Sequence, residues 1–165
     1  MNDQPLLLLD IDGCLSPVAE QRGRLLPRGV EWLDLECGWS LPVRFDSRLP
    51  AWLARLSSAF ELVWATSWQD VANDAVAPFL GLPALPVVWF LGERASVELG
   101  SFTAGAKLPA IGAYIGERPA AWIDDGITPT AKRWAVRRDQ AHPTLFLKTN
   151  PVIGVTERHI GSTPD

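Results

Sequence analysis

Five short apolar runs punctuate the chain: Leu6–Leu9, Glu61–Ala65, Pro86–Phe90, Ala120–Ile123 and Thr144–Leu147. Each is continuous rather than alternating, as strands are when helices cover both faces of their sheet. The stretches between them carry helical spacing. Leu49, Trp52, Leu53 and Leu56 predict a helix over 49–59. Val71, Ala72, Ala75, Val76 and Phe79 predict another over 69–80, which Pro78 ends or kinks early. Leu108–Ile115 and Pro129–Val136 follow the same logic, and Thr128 before Pro129 supplies an N-cap followed by proline at the first helical position. Strands that alternate with helices in this way predict an α/β fold around a parallel sheet.

Two stretches break the repeat. Residues 14–48 hold Pro17, Gly23, Pro27, Gly29, Gly38 and Pro42, and read as a flap-type insertion with one short hairpin. Residues 91–106 read as a small, polar loop, and Gly161–Asp165 as a fraying end. The length of 165 residues suits a single domain over 1–165. The net charge of −4 argues against a generally basic nucleic-acid-binding surface. The two cysteines, Cys14 and Cys37, form neither a disulfide framework nor a zinc spacing, and a buried inert thiol is the expectation for Cys14. The apolar run at Leu6 is four residues long and bounded by Asp3 and Asp10, too short for a secretory signal, and no segment approaches a membrane span. A cytoplasmic protein is the expectation.

Chemistry concentrates where predicted strands end. Leu6–Leu9 runs into Asp10, and Asp12 follows two positions later, so both side chains share a face of the extended chain at the sheet's carboxyl edge. Gly13 allows a sharp turn there. Thr66 and Ser67 follow the run Glu61–Ala65, where hydroxyls and free N–H groups make an anion site. Lys107 opens a predicted helix. Ala120–Ile123 leads into Asp124, Asp125 and Gly126, hard oxygen donors suited to Mg2+. Together these are the parts that phosphoryl transfer requires. A phosphate dianion repels a bare carboxylate; Mg2+ and Lys107 would offset that repulsion, so that Asp10 can attack and Asp12 can protonate the leaving oxygen and later activate water.

In this order the four motifs resemble the haloacid dehalogenase (HAD) superfamily of aspartate-nucleophile phosphatases. The resemblance implies a three-layer, Rossmann-like fold with sheet order 3-2-1-4-5. It implies Asp10 as nucleophile, Asp12 as general acid/base, and phosphate held by Thr66 and Lys107, with Ser67 beside them. Mg2+ would be bound by Asp10, the Asp12 carbonyl and Asp124, with Asp125 close by. A narrower similarity joins Trp64–Trp68, Ala72-Asn73, Lys107–Ala110, Trp122–Asp125 and Gly154–His159 to the HAD domains associated with Swiss Army Knife RNA repair proteins. It implies a polynucleotide end as the phosphorylated partner. Neither 14–48 nor 68–106 is long enough for a large cap domain, and a capless crevice suits a phosphate on a macromolecule. The alternatives are a small-metabolite or phosphoprotein phosphatase of the superfamily, or a non-catalytic binding module on the same fold. A receiver domain would carry its acidic pair first and its acceptor Asp later, the reverse of this order.

Eight tryptophans punctuate the sequence. Trp32, Trp39, Trp52, Trp64, Trp89, Trp122 and Trp134 read as core residues, whereas Trp68, next to Thr66-Ser67, reads as a candidate wall for a base or leaving group. Arg22, Arg24 and Arg28 are placed in the flap to reach a polyanion. Lys132, Arg133, Arg137 and Arg138 read as a solvated helix face favourable to the C-terminal dipole.

Overall fold

The computed structural model describes residues 4–90 and 104–161. Four parallel strands form the sheet, in the order β4 (Glu61–Trp64), β1 (Leu6–Leu9), β5 (Ala120–Asp124), β6 (Thr144–Lys148). The four leucines of β1 are fully buried because helices cover both sheet faces. Leu7 and Leu9 pack with Phe45, Leu49, Leu53 and Trp64 on one side. Leu6 and Leu8 pack with Ile111, Ile115, Trp122 and Ala131 on the other. The result is three layers, with α1 (Leu49–Ser57) and α2 (Ala77–Phe79) on one face and α3 (Ala104–Ile115) and α4 (Pro129–Asp139) opposite. A fifth helix, α5 (Glu157–Gly161), closes the described chain; it is five residues long and its sequence gave no periodic signal. No helix among the described residues is long and apolar enough to cross a membrane.

The predicted run Pro86–Phe90 is reduced to one parallel bridge at Val87 beside Trp64, made by Trp64 N–H to Pro86 O and Val88 N–H to Trp64 O, both 2.8 Å. Counting this segment third, the order is still 3-2-1-4-5. The helix predicted over 69–80 also differs. A turn precedes it, Gln69 takes a left-handed φ of 48°, and Ala72–Val76 forms a π-helix before α2. Pro78 supplies the reason: it lacks an N–H and crowds the carbonyl four residues before it, and the backbone widens just upstream, where Ala77 N–H reaches Ala72 O.

Asn73 projects from this widened turn. Its Oδ1 accepts from Trp64 Nε1 (3.0 Å) and Leu85 N–H (2.8 Å), and its Nδ2 donates to Leu85 O (2.9 Å). One amide thereby pins the segment beside β4. Asn73→Ala would orphan three polar groups, and we expect a loss of about 2–4 kcal/mol in urea unfolding.

Flap residues 14–48 contain the expected hairpin, β2 (Trp32–Leu35) against β3 (Val43–Asp46). Arg44 ties it to Glu20 (2.7 Å) and pairs across the hairpin with Asp34 (3.1 Å). Helix α3 begins at Ala104, so Lys107 lies in its first turn; the rest of the predicted loop, 91–103, lies outside the described residues, as do the end residues 162–165. Thr128 caps α4 through Ala131 N–H as expected. Two expectations fail. Trp39 and Trp89 are 43% and 61% exposed rather than core. Arg138 is not a solvated helix-face residue, for its guanidinium donates to the carbonyls of Gly116 and Arg118 and to Thr144 Oγ1.

Candidate active site

Strand register brings the four motifs to one edge. Leu9 pairs with Trp64 on one side and Ile123 on the other, so Asp10 emerges level with Ala65 and Asp124. From the face opposite α1, Lys107 reaches in with only 1% exposure. Its ammonium donates to Asp10 Oδ2 (2.7 Å), Asp124 Oδ2 (2.8 Å) and Ala65 O (3.0 Å), which fills its three donor positions. Two buried carboxylates therefore share one cation. Burial is the largest influence on Asp10 and outweighs Lys107, so with Asp124 and Asp12 nearby its carboxyl is pushed up to about 7. Burial opposes the charge of Lys107, but the two carboxylates overcome it and hold the ammonium above its ordinary range.

The remaining oxygens are also assigned. Asp10 Oδ1 accepts from Ile11 N–H (2.8 Å), and Asp124 Oδ1 from Gly126 N–H (2.8 Å). Thr66 is fully buried and its Oγ1 accepts from Trp68 N–H (3.3 Å), while Ser67 is half-buried in the same turn. Asp12 is half-buried, and its Oδ2 accepts from Trp68 Nε1 (2.9 Å). Burial raises the Asp12 carboxyl, against the pull of that indole and of Lys107. Trp68 itself is 4% exposed and meets Trp39 edge-on at 5.0 Å, which leaves its ring little surface for stacking a ligand.

One ligand atom from each of Asp10, Cys14 and Asp125 lies within 4.8 Å of the others, a group that can hold a metal ion. Two carboxylates fit a hard divalent cation. The cradle has no room to spare: a Cβ on Gly13, whose φ is 75°, would meet Asp125 Oδ2 at 2.5 Å. Cys14 fits less well as a ligand. Thr149 Oγ1 donates its one proton to Gly13 O (2.8 Å), so the Cys14 thiol, 3.2 Å away, is the donor to Thr149. Burial and the neighbouring acids push that thiol well above its usual range, which keeps it protonated. Cys14 lies beside the acidic loop in the sequence itself, but the partner that orients its thiol is 135 residues distant.

Residues 149–155 clasp the loop. Besides Thr149, Val155 N–H reaches Cys14 O (2.7 Å) and Val18 N–H reaches Pro151 O (2.8 Å). His159 is also tied down there, through Thr156 Oγ1 (2.9 Å) and Lys148 O (3.2 Å). Of the flap arginines, Arg22, Arg24 and Arg28 are exposed, and Arg22 is near enough to oppose the upward shift that burial and Asp124 impose on Asp125.

The family model for the HAD domain in Swiss Army Knife RNA repair proteins matches residues 6–160. No curated protein matches the chain.

Proposed function

The chain belongs to the family of HAD domains found in Swiss Army Knife RNA repair proteins, and from that premise we propose that it is a Mg2+-dependent phosphohydrolase acting through an aspartyl-phosphate. The observation that carries this reading is the buried Lys107 ammonium, shared between Asp10 and Asp124 at the end of the central strand, with Asp12 two residues beyond.

Asp10 is the nucleophile. Its Oδ2 faces Lys107, whose charge would neutralise an incoming phosphate oxygen and so lower the barrier to anion–anion approach. Attack forms the Asp10–phosphorus bond and breaks the bond to the leaving oxygen, which takes a proton from Asp12. Asp12 then removes a proton from water, whose oxygen attacks phosphorus and returns Asp10 as a carboxylate. Thr66 and Ser67 hold the phosphate oxygens, and Lys107, its three protons engaged by Asp10, Asp124 and Ala65 O, supplies positive charge beside them. Asp10, the Asp12 carbonyl and the Asp124–Asp125 pair would hold Mg2+, which supplies further charge neutralisation when bound; Asp10 and Asp125 already lie together. Asp124, with both oxygens engaged, also fixes Lys107.

The substrate we propose is a polynucleotide terminal phosphate. The RNA-repair context of the family supports it, as do the short flap and the exposed Arg22 near Asp125. A panel of 5′- and 3′-phosphorylated oligonucleotides, nucleotides, sugar phosphates and phosphopeptides tests this. Oligonucleotide ends should be preferred at least tenfold in kcat/KM, with activity abolished by chelation. Preference for a free metabolite would overturn the substrate, and the absence of Mg2+-dependent turnover on every substrate would favour a binding module.

A further inference from the structure

We propose that Trp68 is the positioning residue for Asp12, fixing which of its oxygens faces the reaction, and that Trp39 of the flap braces it. This rests on the phosphohydrolase reading above for its catalytic consequence, but not for its geometry.

Asp12 lies in a turn beyond the end of β1, where a carboxylate has freedom to rotate. Only one side-chain hydrogen bond to it is seen among the described residues, from Trp68 Nε1 to Oδ2 at 2.9 Å. An indole N–H is a donor only. It therefore selects Oδ2 as the acceptor oxygen and leaves Oδ1 as the one that carries a transferable proton. The indole is itself immobilised. It is 4% exposed, its backbone N–H is bonded to Thr66 Oγ1, and the edge of Trp39 meets it at 5.0 Å and 65°. Directly after it the chain adopts the left-handed conformation at Gln69, φ 48°, which a residue with a side chain adopts at a cost. Strain of this kind persists where surrounding structure requires it, and here the turn carries the indole to a residue 56 positions earlier in the chain. Trp39 sits in the loop between β2 and β3, so the flap is linked through two rings to the acid. Thr66 and Trp68 share one turn, which joins the phosphate-holding hydroxyl to the proton donor.

Trp68→Phe keeps a large ring and removes the N–H. Rates with phenyl phosphate, a poor leaving group that needs protonation, should fall about tenfold or more, and rates with nitrophenyl phosphate by no more than two- to threefold, with KM within twofold. In an Asp12→Asn background the same substitution should change neither rate. Equal losses on both substrates, or a loss that persists without Asp12, would mean a merely structural role and overturn the proposal. Trp39→Ala should reproduce the leaving-group effect in weaker form; an unchanged ratio would remove Trp39 from it. The Trp68 indole N–H resonance, identified by its loss in Trp68→Phe, should shift in Asp12→Asn, and an unmoved resonance would overturn the proposal whatever the activity. A wild-type protein without turnover but with the shifted resonance would overturn the phosphohydrolase reading and leave Trp68 as the holder of Asp12.

Discussion

Asp10→Asn is expected to abolish phosphate-ester hydrolysis, with kcat reduced by about 10³-fold or more, while the protein stays folded. Asparagine is close in shape but cannot form the acyl phosphate. The fold tolerates it because it removes a charge that is costly to bury, which offsets the weakened contact with Lys107. The pH dependence of stability should report the same exchange. Asp10 has its folded-state pKa raised to about 7 from an ordinary value of 3.8, so between those values the folded protein holds a proton that the unfolded chain has released. Stability from this group is therefore fully present below about pH 4 and is lost as pH rises to about 7. Asp12 and Asp125, raised in the same direction, add to the decline. In Asp10→Asn the slope should be shallower, measured by urea unfolding at several pH values in chelator. An equal slope would place the proton elsewhere, and undiminished hydrolysis would remove Asp10 from the chemistry.

Lys107→Met should be the most destabilising change at the site. Methionine matches the length of the side chain but leaves Asp10 and Asp124 buried against each other with no cation between them. Removing one member of a buried charged cluster costs about 3–5 kcal/mol. For a chain of this size that is a drop of roughly 10 °C in Tm. The deficit should be smaller at pH 5 than at pH 8, because protonation of Asp10 relieves it, and adding Asp10→Asn should recover part of it. Activity should fall at least about 10³-fold, since the charge that receives the phosphate is lost. A Lys107→Met protein as stable as wild type would show that the ammonium does not offset buried negative charge there, and would undo the electrostatic account of the site.

The residues that reveal the fold and the site in the sequence are those whose environment is local. Leu6–Leu9 followed by Asp10, and Ala120–Ile123 followed by Asp124, announce buried strands that end in acids, and both lie where that reading puts them. Lys107 is legible only through motif order, because its partners are 97 and 17 residues away. Nothing periodic marks the π-helix at Ala72–Val76 or the single bridge at Val87, where one asparagine side chain replaces a run of strand pairing. For Trp68, adjacency to Thr66 suggests a ligand wall, whereas its indole turns inward to Asp12. The Cys14–Thr149 contact spans almost the whole chain and leaves no trace in local pattern.

The clasp formed by residues 149–155 has a consequence for the order of synthesis. Cys14 precedes Thr149 by 135 residues, so the loop after Asp10 stays unlatched until the segment beyond β6 has been made. Until then β1, which sits between strands made later, also lacks its partner β5 for most of that time. A chain cut after Lys148 would keep Asp10, Asp12, Thr66, Lys107 and Asp124 and lose the latch, so the loop is fixed by a segment that follows all of them.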